Sequence, residues 1–316
     1  MSSMRIAGIG ISRLASAAAL MLAVAPIVFA RQATAPRVVH TDPAAFRPLT
    51  AVHGGAGNMA YTALLNRGAI GPHFNFLHRG EIPAGSGIGH HFHNTADEMF
   101  VILNGEAQFT IDGRTAVLKG PVGVVCRAGH SHALYNSGRE TLQWINFQVS
   151  VTAGISDAFD LGDDRSTGVT LDRIPTFMTL SLDPALTRGA GARGRGAAAG
   201  QAPANVLSRR GYGPSVFAST WAYVDHTIVA PGASTPPLAH ATIGEAYYVL
   251  SGQGTVTVGG DTSPVRKWDA VPVRLDETSS FSNTGSEPLE LLVYGVAKDM
   301  DSKIALMMPA AGRGRQ

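Results

Sequence analysis

An internal repeat restricts the fold of this 316-residue chain more than any other feature. Shifted by 147 residues, the sequence aligns with itself without a gap at six positions: Gly85 with Gly232, His93 with His240, Glu98 with Glu245, Gly105 with Gly252, Arg127 with Arg274 and Asn136 with Asn283. The same shift pairs three aromatic positions: Phe74 with Trp221, Phe76 with Tyr223 and Phe147 with Tyr294. A whole unit is therefore duplicated, and we predict two homologous domains.

Each unit consists of short strands and tight turns. The run Glu98–Leu103 ends at Asn104–Gly105, a dipeptide that tolerates positive φ and predicts a β-hairpin. Apolar and polar residues then alternate up to Ile111, as in a half-buried strand, and Asp112–Gly113 marks the next turn. The second unit repeats these turns at Ser251–Gly252 and Gly259–Gly260. Such closely spaced strands and turns predict an all-β fold, an antiparallel barrel or sandwich.

Residues 1–30 have the pattern of a secretory signal peptide. Arg5 and Arg13 precede an apolar stretch, Leu14–Val24, and small residues stand at the cleavage subsites of Val28-Phe29-Ala30. The stretch is shorter than the roughly 20 residues of a membrane-spanning helix. We therefore expect the mature chain to begin near Arg31 and to be exported, to the periplasm or the medium.

Composition adds few constraints on partners. With 45% hydrophobic and 15% charged residues the chain is suited to ordered domains. The chain has 25 lysines and arginines, of which 23 remain once Arg5 and Arg13 of the signal-like segment are left out. These 23 balance the 23 acidic residues, so no nucleic-acid-binding surface is expected. Cys126 is the only cysteine, which excludes an intrachain disulfide.

Three histidines and one glutamate form a candidate metal site in the first unit. His91 and His93 lie two residues apart, which places both on one face of a strand, and Glu98 and His132 follow. Imidazole nitrogen and carboxylate oxygen together suit a divalent ion of iron, manganese, zinc, copper or nickel. Burying four such groups without a partner costs several kcal/mol. We therefore predict one metal ion per chain.

These residues also carry a resemblance to the cupin superfamily. The first cupin motif, G-x5-H-x-H-x4-E-x6-G, is matched in full from Gly85 to Gly105. The second motif is matched at Gly129, His132 and Asn136, whereas Pro121 and Arg127 depart from it at turn positions. The resemblance covers about residues 70–150 and 217–297. It implies two tandem cupin barrels, each a double-stranded β-helix or jelly roll, with the metal inside the first.

The second unit matches the same pattern with two ligands missing. Leu238 replaces the first histidine and Ser279 the last, so that only His240 and Glu245 remain. Two ligands seldom hold a metal tightly. We predict that the second barrel is a structural partner or shapes the substrate site.

The alternation of side chains along a strand predicts which neighbours of the ligands point towards the metal. It turns His90 away from the metal, and His130 falls in a turn, so neither is expected to be a ligand. The same rule sends Phe100, Ile102 and Leu134 inward as an apolar cavity wall. Tyr135 points outward, which makes it a poor candidate for an acid/base residue; no other catalytic residue is indicated.

The resulting domain plan has five parts. They are a signal peptide at 1–30, the metal-binding cupin at 31–150, a connecting segment at 151–210, the degenerate cupin at 211–300 and a tail at 301–316. A Gly/Ala/Arg-rich flexible loop is expected at 187–201 within the connecting segment.

Three classes of function fit such a chain. A dioxygenase-type oxidoreductase is preferred, because one intact and one degenerate barrel resemble the division of labour in two-barrel cupin dioxygenases. An isomerase or lyase of a sugar or carbonyl compound, and a small-molecule-binding protein without turnover, are the alternatives. The expected partners are a small-molecule substrate and, through the barrel faces, a second copy of the chain. No membrane contact is expected beyond the signal segment.

Overall fold

A computed structural model of the chain describes residues 37–189 and 205–308. The predicted signal peptide, most of the Gly/Ala/Arg-rich loop and the last eight residues lie outside this part. Within it, no helix is long and apolar enough to cross a membrane.

The first barrel is built from two antiparallel sheets. Its strands are β1 (Arg47–Thr50), β2 (Asn58–Leu65), β3 (Phe74–Ile82), β4 (Gly87–His93), β5 (Ala96–Ile102), β6 (Glu106–Ile111), β7 (Arg114–Lys119), β8 (Val122–Cys126), β9 (His130–Tyr135), β10 (Leu142–Ser150), β11 (Phe159–Asp160) and β12 (Thr179–Ser181). One sheet has the order β1-β2-β3-β10-β5-β8-β12 and the other β11-β4-β9-β6-β7. The two sheets enclose an apolar core that includes Ile82, Phe109 and Trp144.

The second barrel repeats this plan. Its strands are β13 (Arg188–Gly189), β14 (Val206–Tyr212), β15 (Trp221–Val229), β16 (Leu238–Ala239), β17 (Ile243–Ser251), β18 (Gln253–Val258), β19 (Asp261–Arg266), β20 (Ala270–Val273), β21 (Thr278–Ser282) and β22 (Leu289–Ala297), followed by the helix α1 (Met300–Met307). The sheet orders are β13-β14-β15-β22-β17-β20 and β16-β21-β18-β19. Strands β3 and β15, like β10 and β22, begin and end 147 residues apart. The two barrels predicted from the repeat are confirmed.

Repeat-related aromatic residues join the barrels. The rings of Phe147 and Tyr294, which are equivalent positions, stack with centroids 4.1 Å apart and planes inclined by 9°. Trp221 packs on Phe147 at 4.8 Å. These residues belong to one buried cluster with contributions from β3, β5 and β10 of the first barrel and β15, β17 and β22 of the second. The two barrels therefore share a hydrophobic core.

The hairpin predicted at Asn104–Gly105 is wrong. Strand β5 pairs with β8 and β10, whereas β6 pairs with β7 and β9, so this turn crosses from one sheet to the other. The β6–β7 hairpin follows at Asp112–Gly113, where both residues have positive φ. Turn chemistry identified both reversals but not the sheet to which the next strand belongs.

Segments that flank and connect the barrels add contacts and strands to both of them. In the segment assigned to the first barrel, Val39 pairs with Ala270 of the second, and Arg37 contacts Glu277 at 2.6 Å. The connecting segment contributes β11 and β12 to the first barrel and β13 and β14 to the second. Part of the predicted tail forms α1. The added strands and the Val39 bridge pair with sheet edges that would otherwise be open.

Candidate metal centre

The four predicted ligands converge inside the first barrel. His91 and His93 come from β4, Glu98 from β5 and His132 from β9, and one ligand atom of each lies within 4.8 Å of the others. All four side chains are buried. His91 and His132 form a cross-strand pair, so the β4–β9 register itself brings two ligands together. In the described residues, no other group of three or more histidines, cysteines or carboxylates converges in this way.

Hydrogen bonds fix the ring orientation of two of the histidines. His91 Nδ1 donates to the Gly89 carbonyl at 2.8 Å, and His93 Nδ1 donates to the carbonyl of Asp157. Because a carbonyl only accepts, the proton of each neutral ring lies on Nδ1 and Nε2 keeps its lone pair.

The Nε2 atoms of the three histidines face one another. His132 Nε2 lies 2.9 Å from His91 Nε2 and 3.2 Å from His93 Nε2, and Glu98 Oε2 lies 2.7 Å from His93 Nε2. Nitrogen and oxygen atoms gathered this closely around one point form the donor set that a cation takes up. The residues therefore fit a divalent metal ion bound by three imidazoles and one carboxylate.

The ligands differ in their pKa values, because burial lowers the pKa of His91 and His132, whereas at His93 burial is outweighed by the charge and hydrogen bond of Glu98, which raise its pKa. The pKa of His91 falls to about 4 and that of His132 well below its usual value. Burial alone would raise the pKa of Glu98, but the charge and hydrogen bond of His93 hold it well below the usual range. Two neutral imidazoles and one carboxylate are thus available near neutral pH.

Two amide side chains on β10 orient Glu98. Asn146 Nδ2 donates to Oε1 and Gln148 Nε2 donates to Oε2 at 2.9 Å. Gln148 is fixed in turn by donors from Asn75 at 2.8 Å and Ser156 at 2.7 Å. Asn146 and Gln148 were not predicted as site residues. The signal that could have identified them is their spacing of two residues, which places both on the same face of a strand that pairs with β5.

A cavity of about 430 Å³ opens above the ligands. Its wall is largely apolar and aromatic: Leu49, Val52, Met59, Tyr61, Phe76, Ile88, Phe100 and Trp144. Polar groups are His53, His78, Asn146, Gln148, Ser156 and Asp157, besides His91, His93 and Glu98. None of the lining side chains, within the described part of the chain, is a lysine or an arginine.

Of the three residues predicted to line the cavity, only Phe100 does so. Ile102 and Leu134 are buried in the core below the cavity. Tyr135 ends β9, half-buried and away from the lining. His90 bonds the Ser131 hydroxyl at 2.9 Å, and His130 contacts Asp112 at 2.6 Å. Neither histidine is in the cluster.

The connecting segment, from which no site residue was predicted, covers one side of the site. The Asp157 carbonyl accepts from the ligand His93, and its carboxylate accepts from the backbone N–H of Thr95 at 3.0 Å and the Thr95 hydroxyl at 2.8 Å. Asp157 therefore ties the segment after the barrel to the β4–β5 turn. The His53 ring, from another loop, stacks on His91 with centroids 3.8 Å apart. Neither loop has a periodic pattern that would have marked these residues.

The equivalent place in the second barrel is filled by phenols. Tyr223 and Tyr247 donate to the two oxygens of Glu245, each at 2.6 Å. They occupy the positions of Phe76 and Phe100 in the first barrel. His240 lies 3.8 Å from Glu245, and the strand that carries Leu238 is only two residues long. The partners of this carboxylate are thus two phenols rather than a group of histidines.

Comparison with known proteins agrees with this architecture. A cupin domain model matches residues 78–148 and 225–295, which are offset by the same 147 residues as the repeat. An oxalate-binding protein of Thermotoga maritima is 31% identical over 96 residues, or 30% of this chain and 78% of that protein. The chain belongs to the cupin family.

Solved structures share the fold of both barrels. The oxalate decarboxylase of Lactobacillus farciminis, in a formate complex, has a TM-score of 0.59 and 13% identity, covering 84% of this chain and 87% of that one. The salicylate 1,2-dioxygenase of Pseudoaminobacter salicylatoxidans, in adducts with gentisate, has a TM-score of 0.54 and 14% identity over 75% and 73% of the two chains. At these identities the similarity concerns the fold alone.

Proposed function

We propose that this protein is a metal-dependent oxidoreductase of the dioxygenase type, acting on a small carboxylic acid with an apolar, aromatic body. The cavity carries this proposal. Three of the four ligands, His91, His93 and Glu98, are part of its lining, and Tyr61, Phe76, Phe100 and Trp144 form much of its wall. Aromatic and aliphatic walls favour a flat apolar ligand.

The same cavity argues against the other substrate classes. Oxalate carries two negative charges in a very small volume, and beyond the metal the lining offers it no lysine or arginine as a counter-charge. A sugar would need many hydrogen-bond partners, whereas much of this lining is apolar. An aromatic monocarboxylate avoids both problems, because its single charge would lie at the metal and its ring needs no hydrogen-bond partners from the apolar wall.

The chain's own residues have distinct roles in this proposal. Glu98, held as a carboxylate by Asn146 and Gln148, and the three histidines bind the ion. When bound, an iron, manganese or copper ion supplies Lewis acidity and redox chemistry. Phe100 and Trp144 keep water from the reacting groups. Both atoms of dioxygen enter the product, so no external reductant is needed.

Oxygen uptake tests the proposal. Metal-free protein is loaded with iron(II), manganese(II), copper(II) or zinc(II), and dioxygen consumption is followed with benzoate, 3- and 4-hydroxybenzoate, gentisate and oxalate. We expect uptake matched one to one by product for an aromatic acid, with none in the zinc form. His91→Ala should abolish uptake and Glu98→Gln should slow it, whereas His240→Ala, at the position equivalent to His93 in the second barrel, should leave uptake unchanged.

Two outcomes would favour the alternatives. Product formed equally well without dioxygen would indicate an isomerase or lyase. A compound bound and returned unchanged by all metal forms would indicate a binding protein, the role that the name of the Thermotoga maritima relative suggests.

Export of the protein is a further part of the proposal. The pattern of residues 1–30 supports it. N-terminal sequencing of protein recovered from the native cells should find a chain that begins near Arg31, whereas an intact Met1 would contradict export by cleavage. A second copy of the chain as partner stays a prediction, which the molar mass in solution tests.

A further inference from the structure

His53 lies at the rim of the metal cavity on a constrained loop. It is the middle residue of the short 3-10 turn Val52–Gly54, and its side chain is part of the cavity lining. Both Ala51, with φ 50°, and His53, with φ 51°, adopt the left-handed backbone conformation. Residues with side chains hold that conformation only where their surroundings enforce it, and such positions cluster at ligand sites.

Close backbone contacts enforce it here. A Cβ atom on Gly89 would collide with the His53 carbonyl, and one on Gly55 would collide with the backbone of Gly87 and Gly89. The loop therefore packs directly on β4, the strand that carries two ligands. The His53 ring lies flat on that of His91, with an interplanar angle of 13°.

Asp160 fixes the orientation of this ring. Its Oδ1 lies 2.7 Å from His53 Nδ1, and β11 pairs Asp160 with His91 in register, so the sheet itself positions the carboxylate. A carboxylate only accepts, which places the proton of a neutral His53 on Nδ1 and leaves Nε2 as an acceptor. The side chains are 30% and 57% exposed, which places the pair at the mouth rather than in the core.

From this arrangement we infer that His53 is a ligand-binding residue, whose Nε2 accepts a hydrogen bond from a hydroxyl group of the substrate. Asp160 is the positioning residue that fixes the tautomer. The substrate class is then a hydroxylated aromatic monocarboxylic acid, bound to the metal through its carboxylate. The inference rests on the proposed function for the carboxylate contact, but it does not require turnover.

Binding to the zinc-loaded protein tests the inference without redox chemistry. Calorimetry at one pH of about 8 for every variant compares 3- and 4-hydroxybenzoate with their methoxy counterparts. A hydroxyl can donate to Nε2, whereas a methoxy group can only accept. The two probes of each pair carry the same charge, and their size difference is the same in every variant. A change in the affinity ratio between variants therefore reports the hydrogen bond.

In the wild-type protein we expect one hydroxybenzoate to bind about tenfold more tightly than its methoxy counterpart. His53→Asn should remove this preference, because asparagine tolerates the left-handed backbone but its amide ends short of the Nε2 position. Asp160→Asn should reduce it, because an amide can donate to Nδ1 as well as accept from it. Asp163→Asn is the matched control: it removes one charge three residues further on, in a residue that contacts Arg165 at 3.0 Å, and should leave the ratio unchanged.

No preference in the wild-type protein, or a preference that survives His53→Asn, would overturn the role of His53. A ratio unchanged in Asp160→Asn, or reduced equally in Asp163→Asn, would overturn the role of Asp160. Lack of binding by every probe would overturn the inference together with the carboxylate ligand class. Binding with the expected ratios but without oxygen uptake by the iron form would contradict only the proposed oxidoreductase function.

Discussion

The Tyr247 hydroxyl donates a hydrogen bond of 2.6 Å to Oε2 of Glu245, in the barrel where two metal ligands are replaced. Its repeat equivalent, Phe100, has no such group and faces the open cavity of the first barrel. The two barrels therefore provide different partners for an equivalent buried glutamate: a histidine and two amides at the candidate metal site of the first barrel, and two phenols in the second.

Removing this phenol should destabilise the second barrel. Tyr247→Phe leaves one buried oxygen of Glu245 without its donor, which costs about 1–3 kcal/mol in the free energy of unfolding. Tyr135→Phe, at a half-buried position on β9, is the control and should change it by less than about 0.5 kcal/mol. Urea unfolding of the metal-free variants measures both, and equal losses would argue against a special role for Tyr247.

Asn146→Val should weaken metal binding without removing a ligand. Valine is the residue at the equivalent position of the second barrel, Val293, so the change introduces that barrel's residue into the first. Loss of the donor to Glu98 Oε1 frees the carboxylate to rotate, and the loss of such supporting contacts costs about 10–100-fold in metal affinity. Competition with a chromophoric chelator measures the affinity. An unchanged affinity would show that Gln148 alone orients Glu98.

The metal-free protein should lose stability as the pH falls from about 6.5 towards 4. Burial lowers the pKa of His78 to about 4 in the folded state. The unfolded chain binds the proton first, at its ordinary pKa, so acid favours unfolding across this window. His78→Phe keeps the stacking on Phe76, at 3.9 Å, and should reduce the fall in melting temperature between these pH values. An identical fall in both proteins would exclude a contribution from His78.

The shared core predicts a large effect at Phe147. Phe147→Ala removes a fully buried ring that stacks on Tyr294, and it should cost about 3–5 kcal/mol. Phe159→Ala, on the exposed strand β11, should cost less than about 0.5 kcal/mol. If the two changes had similar costs by urea unfolding, the barrels would not be joined by this core.

Local spacing was enough to predict the centre of the site. His91, His93 and His132 occupy motif positions on β4 and β9, which pair in register, and Glu98 belongs to β5 of the other sheet, so their convergence follows from the closure of the barrel. Strand alternation also placed Ile102 and Leu134 on the inward face, but it does not indicate how far along the barrel the cavity extends. Ile102 lies four residues beyond Glu98, about 13 Å along the strand, where the barrel is already filled.

The remaining parts of the site depend on contacts distant in sequence. Asp157 and Asp160 belong to the segment after the barrel, and His53 to a loop before it, and neither has a periodic pattern. Their contacts with His93 and His91 depend on backbone approach at Gly89 and on the pairing of β11 with β4. Turn chemistry at Asn104–Gly105 likewise could not specify which sheet receives β6.

Metal content per chain, measured by elemental analysis of purified wild-type and variant proteins, tests the central claim most directly. We predict one equivalent in the wild-type protein and in His240→Ala, and almost none in His91→Ala and His132→Ala. Two equivalents in the wild-type protein with one lost in His240→Ala, or metal retained after His91→Ala, would contradict a single site in the first barrel.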